Sequence, residues 1–141
     1  MREQFQEELN SVSATLVQMA GLVKTAMENA TTSLLTADLA LAERVIAEDS
    51  IVDEIQHELD ARTINLIARQ GPVASDLRTL VTSLRMSADL ERMGDLAHHI
   101  AKSARMRYPA TAVPPELSLT IEEMGRFCDV MGKISLSLIH I

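Results

Sequence analysis

The sequence predicts an all-α protein: one three-helix bundle followed by the first helix of a second, incomplete bundle. Three observations predict it. Long stretches repeat apolar residues at alternating steps of four and three, the seam of helices packed lengthwise. Apolar residues make up 47% of the chain, but aromatics only 2% and Trp is absent. A core of Leu, Ile, Val, Met and Ala suits helices better than sheets. All four prolines fall between the periodic stretches rather than inside them.

The first helix is expected over about Arg2–Leu35, with Phe5, Leu9, Val12, Leu16, Met19, Val23, Ala26 and Ala30 on its seam. Thr36 or Asp38 can cap the next helix, because either side chain accepts the free N–H groups of a first turn. That second helix spans about Asp38–Arg69. Leu41, Val45, Val52, Leu59 and Leu66 hold one face, with Ile51 and Ile55 beside it. It stops at "RQGP", where Gly71 supplies a helix end and Pro72 a possible first residue for the next helix. So short a turn makes helices two and three an antiparallel hairpin. The third helix runs over about Val73–Tyr108, and "PATAVPP" then forms a linker.

From Glu116 the helical pattern restarts with Leu117, Ile121, Met124 and Cys128, and Cys128 is placed in the core. "LVQMAGLVKTAM" from Leu16 and "IEEMGRFCDVMG" from Ile121, 105 residues later, share a Met-small pair and their apolar spacing. A repeat of that length is one three-helix unit. The organisation expected is a first repeat over 1–108, a linker over 109–115, and the start of a second repeat over 116–141. An amphipathic helix without its two partners leaves an apolar face exposed. The end, "ISLSLIHI", has no helix-stop signal. These features predict a fragment, with residues from about 134 to 141 foreign to the natural sequence.

The charge excludes some functions. Lys and Arg number 13 against 20 Asp and Glu, a net charge of −7, which argues against a nucleic-acid surface. One cysteine forms no internal disulfide. No signal-peptide layout and no membrane-length apolar run occur, so the cytoplasm is the expected location. No Gly-rich phosphate loop, Ser/His/Asp arrangement or paired cysteine is present. The eight methionines suit adaptable packing.

The notable chemistry lies in "ADLERMGDLAHHI". On a helical wheel Leu77, Val81, Leu84 and Ala88 form one stripe, and the same line continues into Glu91 and Asp95. The third helix is therefore expected to change its buried face near Ala88, with Leu90, Met93, Ala97 and Ile100 on the buried side beyond it. Helix two carries a matching pair, Asp49 and Asp53, at the edge of its apolar stripe. With the turn centred on Gly71, Asp53 is expected opposite Asp89 and Asp49 opposite Met93, which brings the two acid pairs to one level. Four close carboxylates repel unless a cation or protons intervene, and oxygen ligands suit hard or borderline metals such as Mg, Mn or Fe. The alternative is a surface on which Arg85, Arg92 and Lys102 neutralise the acids as exposed ion pairs. A carboxylate-metal oxidase is disfavoured, since its Glu-x-x-His spacing is absent. His57, His98 and His99 are left out of the site.

The segments "LAERVIAEDSIVDEI", "PVASDLRTLVTSLRMSADLERMGDLAHHIAK" and "EMG" resemble the PhoU family, over about residues 8–133. The text around Leu34–Asp38 and "ARMRYP" is similar to its actinobacterial branch. The resemblance implies two three-helix bundles side by side, and about a hundred residues beyond this chain. It implies metal clusters on acid-x-x-x-acid motifs, which map onto Asp49 with Asp53 and Glu91 with Asp95. The metal would be a divalent or iron-type ion: Fe, Mn, Mg or Zn. It also implies a non-enzymatic regulator of phosphate uptake and starvation signalling, linking the phosphate ABC transporter ATPase to a phosphate-sensing histidine kinase. Homodimerisation is expected, with neither nucleic-acid binding nor membrane insertion. The other function weighed is a metal-independent helical module whose acidic face docks a basic partner patch. The chain departs from the family at Gly71, where Gln is common before the proline, and in lacking most of the second unit.

Overall fold

The computed structural model describes residues 2–139, and side chains over residues 2–137. Among these residues the fold is all-helical: α1 (Arg2–Thr36), α2 (Leu39–Gln70), α3 (Ala74–Arg107), a 3₁₀ turn (Pro115–Leu117) and α4 (Ser118–Ile139). Among the described residues no helix is long and apolar enough to cross a membrane.

Local chemistry sets the joints. Ala37 takes a left-handed φ of 53° after α1. Asp38 then caps α2 by accepting the Leu41 N–H on Oδ1 at 3.0 Å. Thr36 does not cap; its hydroxyl donates back to the Thr32 carbonyl. At the other end Gly71 adopts φ 51°, and its N–H donates to the Ile67 carbonyl. That conformation is easy only for a residue without a Cβ. Pro72 does not open α3. Val73 is extended and precedes Ala74, so three residues make the reversal.

Helix α1 buries Leu9, Val12, Leu16, Met19, Val23 and Ala30, the expected seam. Against it α2 presents Ala42, Val45, Val52, Leu59, Thr63 and Leu66. The central core joins Val12, Leu16, Met19 and Val23 of α1 to Val52 and Leu59 of α2 and Leu90 of α3.

Over its first half helix α3 departs from the expected face, while Leu90 and Ala97 beyond it are buried as expected. Its buried stripe is Leu80, Ser83, Ser87, Leu90, Gly94, Ala97, Ala101 and Ala104, unbroken along the helix. Leu77 and Val81 are 37% and 36% exposed, and Ala88 is exposed. No change of face occurs near Ala88. The buried line consists mostly of small residues, which let three helix backbones come close, so large apolar side chains are a poor guide to it. Its hydroxyls are satisfied as burial requires: Ser83 donates to the Thr79 carbonyl, and Ser87 donates to Asp60 Oδ1 at 3.0 Å.

Helix α4 runs antiparallel along α1. Gly125 meets Thr31 and Gly132 meets Lys24, seven residues on along each helix. The Lys24 ammonium bridges Glu28 at 2.6 Å on its own helix and Asp129 at 3.2 Å on α4. The outer face of α4 exposes Met124, Phe127, Met131 and Ile134. Met19 is 0% exposed, whereas Met124, its counterpart in the restart, is 57% exposed. Cys128 is half-buried rather than part of the core, because among the described residues no helix covers α4 from outside. The expectation for residues 134–141 extends to positions outside the described residues.

Candidate functional site

The acid pairs lie where α2 and α3 pass each other in mid-hairpin. Asp49 and Asp53 stand one helical turn apart on α2, both half-buried beside Val52. Glu91 and Asp95 stand one turn apart on α3, flanking Gly94. With no side chain of its own, Gly94 packs against Val52, Asp49 and, from α1, Val23. The approach brings carboxylates of two helices together. One oxygen from each of Asp49, Asp53 and Asp95 lies within 4.8 Å of the others. Glu91 is outside that trio but close enough to feel all three charges.

The electrostatics follow from the crowding. Burial, then the charges of Asp49 and Asp95, push the Asp53 carboxyl above the ordinary carboxylate range. Burial, then the adjoining Asp95, push Glu91 up in the same way. Asp53 Oδ1 is buried and has no hydrogen-bond partner among the described residues. Arginine and lysine do not relieve the site: among the described residues no ion pair joins these acids to Arg85, Arg92 or Lys102. An oxygen cluster with an unpartnered buried oxygen fits a hard cation, which neutralises several carboxylates at once. The residues that could hold one are Asp49, Asp53 and Asp95, with Glu91 beside them.

The register differs from the hairpin expectation. Asp49 lies against Gly94, one residue beyond the expected Met93, and Asp89, expected opposite Asp53, is exposed. His98 Nδ1 donates to Asp49 Oδ2 at 2.7 Å. Lower in the hairpin Ser87 donates to Asp60, so the register is constant: both helices advance eleven residues between the two contacts. Two physical effects shift it. The reversal takes three residues rather than one. Side chains on a helix also lean toward its own N-terminus, so on antiparallel helices they lean opposite ways and meet off-level.

His98 is the residue that sequence reasoning left out. Its signal was present as a position three after Asp95, on the same face of α3. His57 is a different case: it is exposed, and its Nδ1 donates to the Asp53 backbone carbonyl at 2.7 Å. His99 points outward.

Comparison with known proteins places this geometry in context. The PhoU domain family matches residues 16–104. The chain is similar to "Phosphate-specific transport system accessory protein PhoU homolog 2" of Mycobacterium tuberculosis, 43% identical over 132 residues, or 94% of this chain and 62% of the relative. It is 34% identical to the PhoU homolog of Rhizobium meliloti over 129 residues, 92% of this chain and 54% of that one. Among solved structures, PhoU from Pseudomonas aeruginosa superposes with a TM-score of 0.85 at 28% identity, over 94% of this chain and 63% of that one. The chain thus spans about three fifths of the length of the mycobacterial relative.

Proposed function

The chain belongs to the PhoU family, and we propose that it acts as a non-enzymatic accessory and regulatory protein of phosphate uptake. The observation that carries this is the 43% identity to a phosphate-specific transport accessory protein across 94% of the chain. In this proposal it works in the cytoplasm, joins the transporter ATPase to a phosphate-sensing histidine kinase, and forms a homodimer. Residues 1–108 make one three-helix repeat, 109–115 the linker, and 116–141 the start of a second repeat. The exposed apolar face of α4 supports that division.

The acid site is proposed to hold a divalent or iron-type cation, Fe, Mn, Mg or Zn, on Asp49, Asp53 and Asp95, with Glu91 completing the set. The approach of three carboxylates to within 4.8 Å supports this. A bound cation supplies charge neutralisation between α2 and α3. The residues supply the rest: α2 and α3 each present acids at a four-residue step, and the contact at Gly94 sets the distance between them.

Two measurements test the proposal. The chain is produced in a bacterial host that lacks its own PhoU-type protein and carries a phosphate-starvation reporter. In ample phosphate the wild type should lower the reporter signal, and Asp49→Asn/Asp53→Asn should not. Elemental analysis after dialysis against each metal should show retention by the wild type and loss in the double variant. A reporter indifferent to the wild-type chain overturns the regulatory role. Equal, negligible metal in both proteins overturns the metal site.

A further inference from the structure

The His98–Asp49 hydrogen bond belongs to neither acid-x-x-x-acid pair, yet it joins α3 to the first acid of α2. Asp49 is a carboxylate and only accepts, so the proton of this bond sits on His98 Nδ1. The bond is well formed at 2.7 Å and well sheltered, with the two side chains 20% and 12% exposed. It engages Oδ2. The other oxygen, Oδ1, accepts no hydrogen bond among the described residues and lies on the Gly94 side of the carboxylate. The carboxylate is thus held at one oxygen by a ring from the opposite helix, and one oxygen is left free.

We propose that His98 is a positioning residue for the cation site: it clamps Asp49 Oδ2 from α3 and thereby presents Oδ1 to the cation. The inference rests on the metal reading above. A free carboxylate rotates about χ2, and ordering it costs entropy on each binding event. A hydrogen bond to a ligating carboxylate removes that cost in advance, and loss of such a partner lowers metal affinity by about 10–100-fold. The clamp also crosses between helices. The Gln56–Asp60 bond, 2.6 Å, lies within α2 and puts no restraint on α3; what ties Asp60 to α3 is the Ser87 hydroxyl. His98 likewise ties the carboxylate of one helix to the backbone position of the other, so the register and the ligand geometry are set together.

Side-chain shape provides the discriminating variants. Asn places its amide nitrogen about where Nδ1 of His lies, so His98→Asn keeps the donor. His98→Gln carries its amide further out, nearer the place of Nε2. His98→Ala removes the donor.

The test uses the 141-residue chain and Mn²⁺ alone. Affinity is read by competition with a chromophoric chelator, pulsed electron paramagnetic resonance reads directly bound nitrogen, and circular dichroism checks folding without metal. The expected result is a loss of affinity of about 10–100-fold in His98→Ala. His98→Asn should recover most of it and His98→Gln less, with no directly bound nitrogen in the wild type. His98→Ala binding as tightly as the wild type overturns the positioning role while leaving the acid site standing. Directly bound nitrogen that disappears in His98→Ala also overturns it, since His98 is then a ligand. A wild type that binds Mn²⁺ no better than Asp53→Asn overturns the metal reading, and this inference with it.

Discussion

Gly94 of α3 lies against Val52 of α2 with little room to spare: a Cβ at Gly94 would stand 3.6 Å from the valine Cγ1. That is ordinary van der Waals contact, as are the 3.7 Å distances to Asp49 Oδ1 and Val23 Cγ2. Ala therefore fits without displacement, and anything longer does not. Gly94→Ala is expected to stabilise the bundle by up to about 1 kcal/mol, the helix-propensity difference. Gly94→Leu is expected to destabilise it by about 1–3 kcal/mol through overpacking. Urea midpoints measured with a chelator present check both, and a lower midpoint for Gly94→Ala would show that the helices approach more closely than this.

The acid site gives stability a pH dependence whose sign follows from the raised carboxyls. Asp53 and Glu91 have ordinary values of 3.8 and 4.5, and both are raised in the folded protein. A raised carboxyl contributes stability that is complete below its unfolded value and is lost as pH rises through its folded value. The metal-free chain is therefore penalised at neutral pH. Asp53→Asn, which cannot ionise, should unfold at a higher temperature than wild type at about pH 7, with the advantage gone below about pH 4. Thermal unfolding in chelator across that range checks this. Added cation should reverse the order, since it stabilises only the protein that binds it. A variant less stable than wild type in chelator at neutral pH contradicts the account.

The junction of α4 with α1 turns on Gly125. A Cβ there would lie 2.5 Å from Thr31 Cγ2, nearer than packed atoms tolerate, so either the Thr31 side chain leaves its hydrogen bond to the Met27 carbonyl or the helices move apart. Gly125→Ala is expected to loosen α4 while leaving α1, α2 and α3 assembled, and Thr31→Ala should restore the docking by removing the methyl group. Hydrogen exchange resolved by segment checks this: faster exchange over 118–137 in the single variant, near wild type in the double. Unchanged exchange in Gly125→Ala would show that the two helices already have room to slide.

Much of this molecule was legible in the linear pattern. The seam of α1 was read residue by residue, because it is made of large apolar side chains at helical steps. Asp38 and Gly71 marked their joints through local chemistry. The acid pairs were visible because a four-residue step puts two carboxylates on one face of a helix wherever that helix lies. The first half of α3 was misread for the complementary reason. Ser83 and Ser87 are buried without being large, and Leu77 and Val81 are large without being buried, whereas Leu90 and Ala97 of the second half are buried as expected.

The sequence by itself determined the helices, the glycine stop of α2, the hairpin of α2 and α3, and the acids each helix carries. These depend on interactions within a few residues, and the 3.6-residue turn imposes them. Only the tertiary structure decided which residues of the two helices stand opposite one another. That register depends on how small side chains let backbones close, on the three residues of the reversal, and on the opposite lean of side chains on antiparallel helices. It sets Asp49 against Gly94 and within reach of His98, and so brings a histidine into a site that the pattern alone described as four acids.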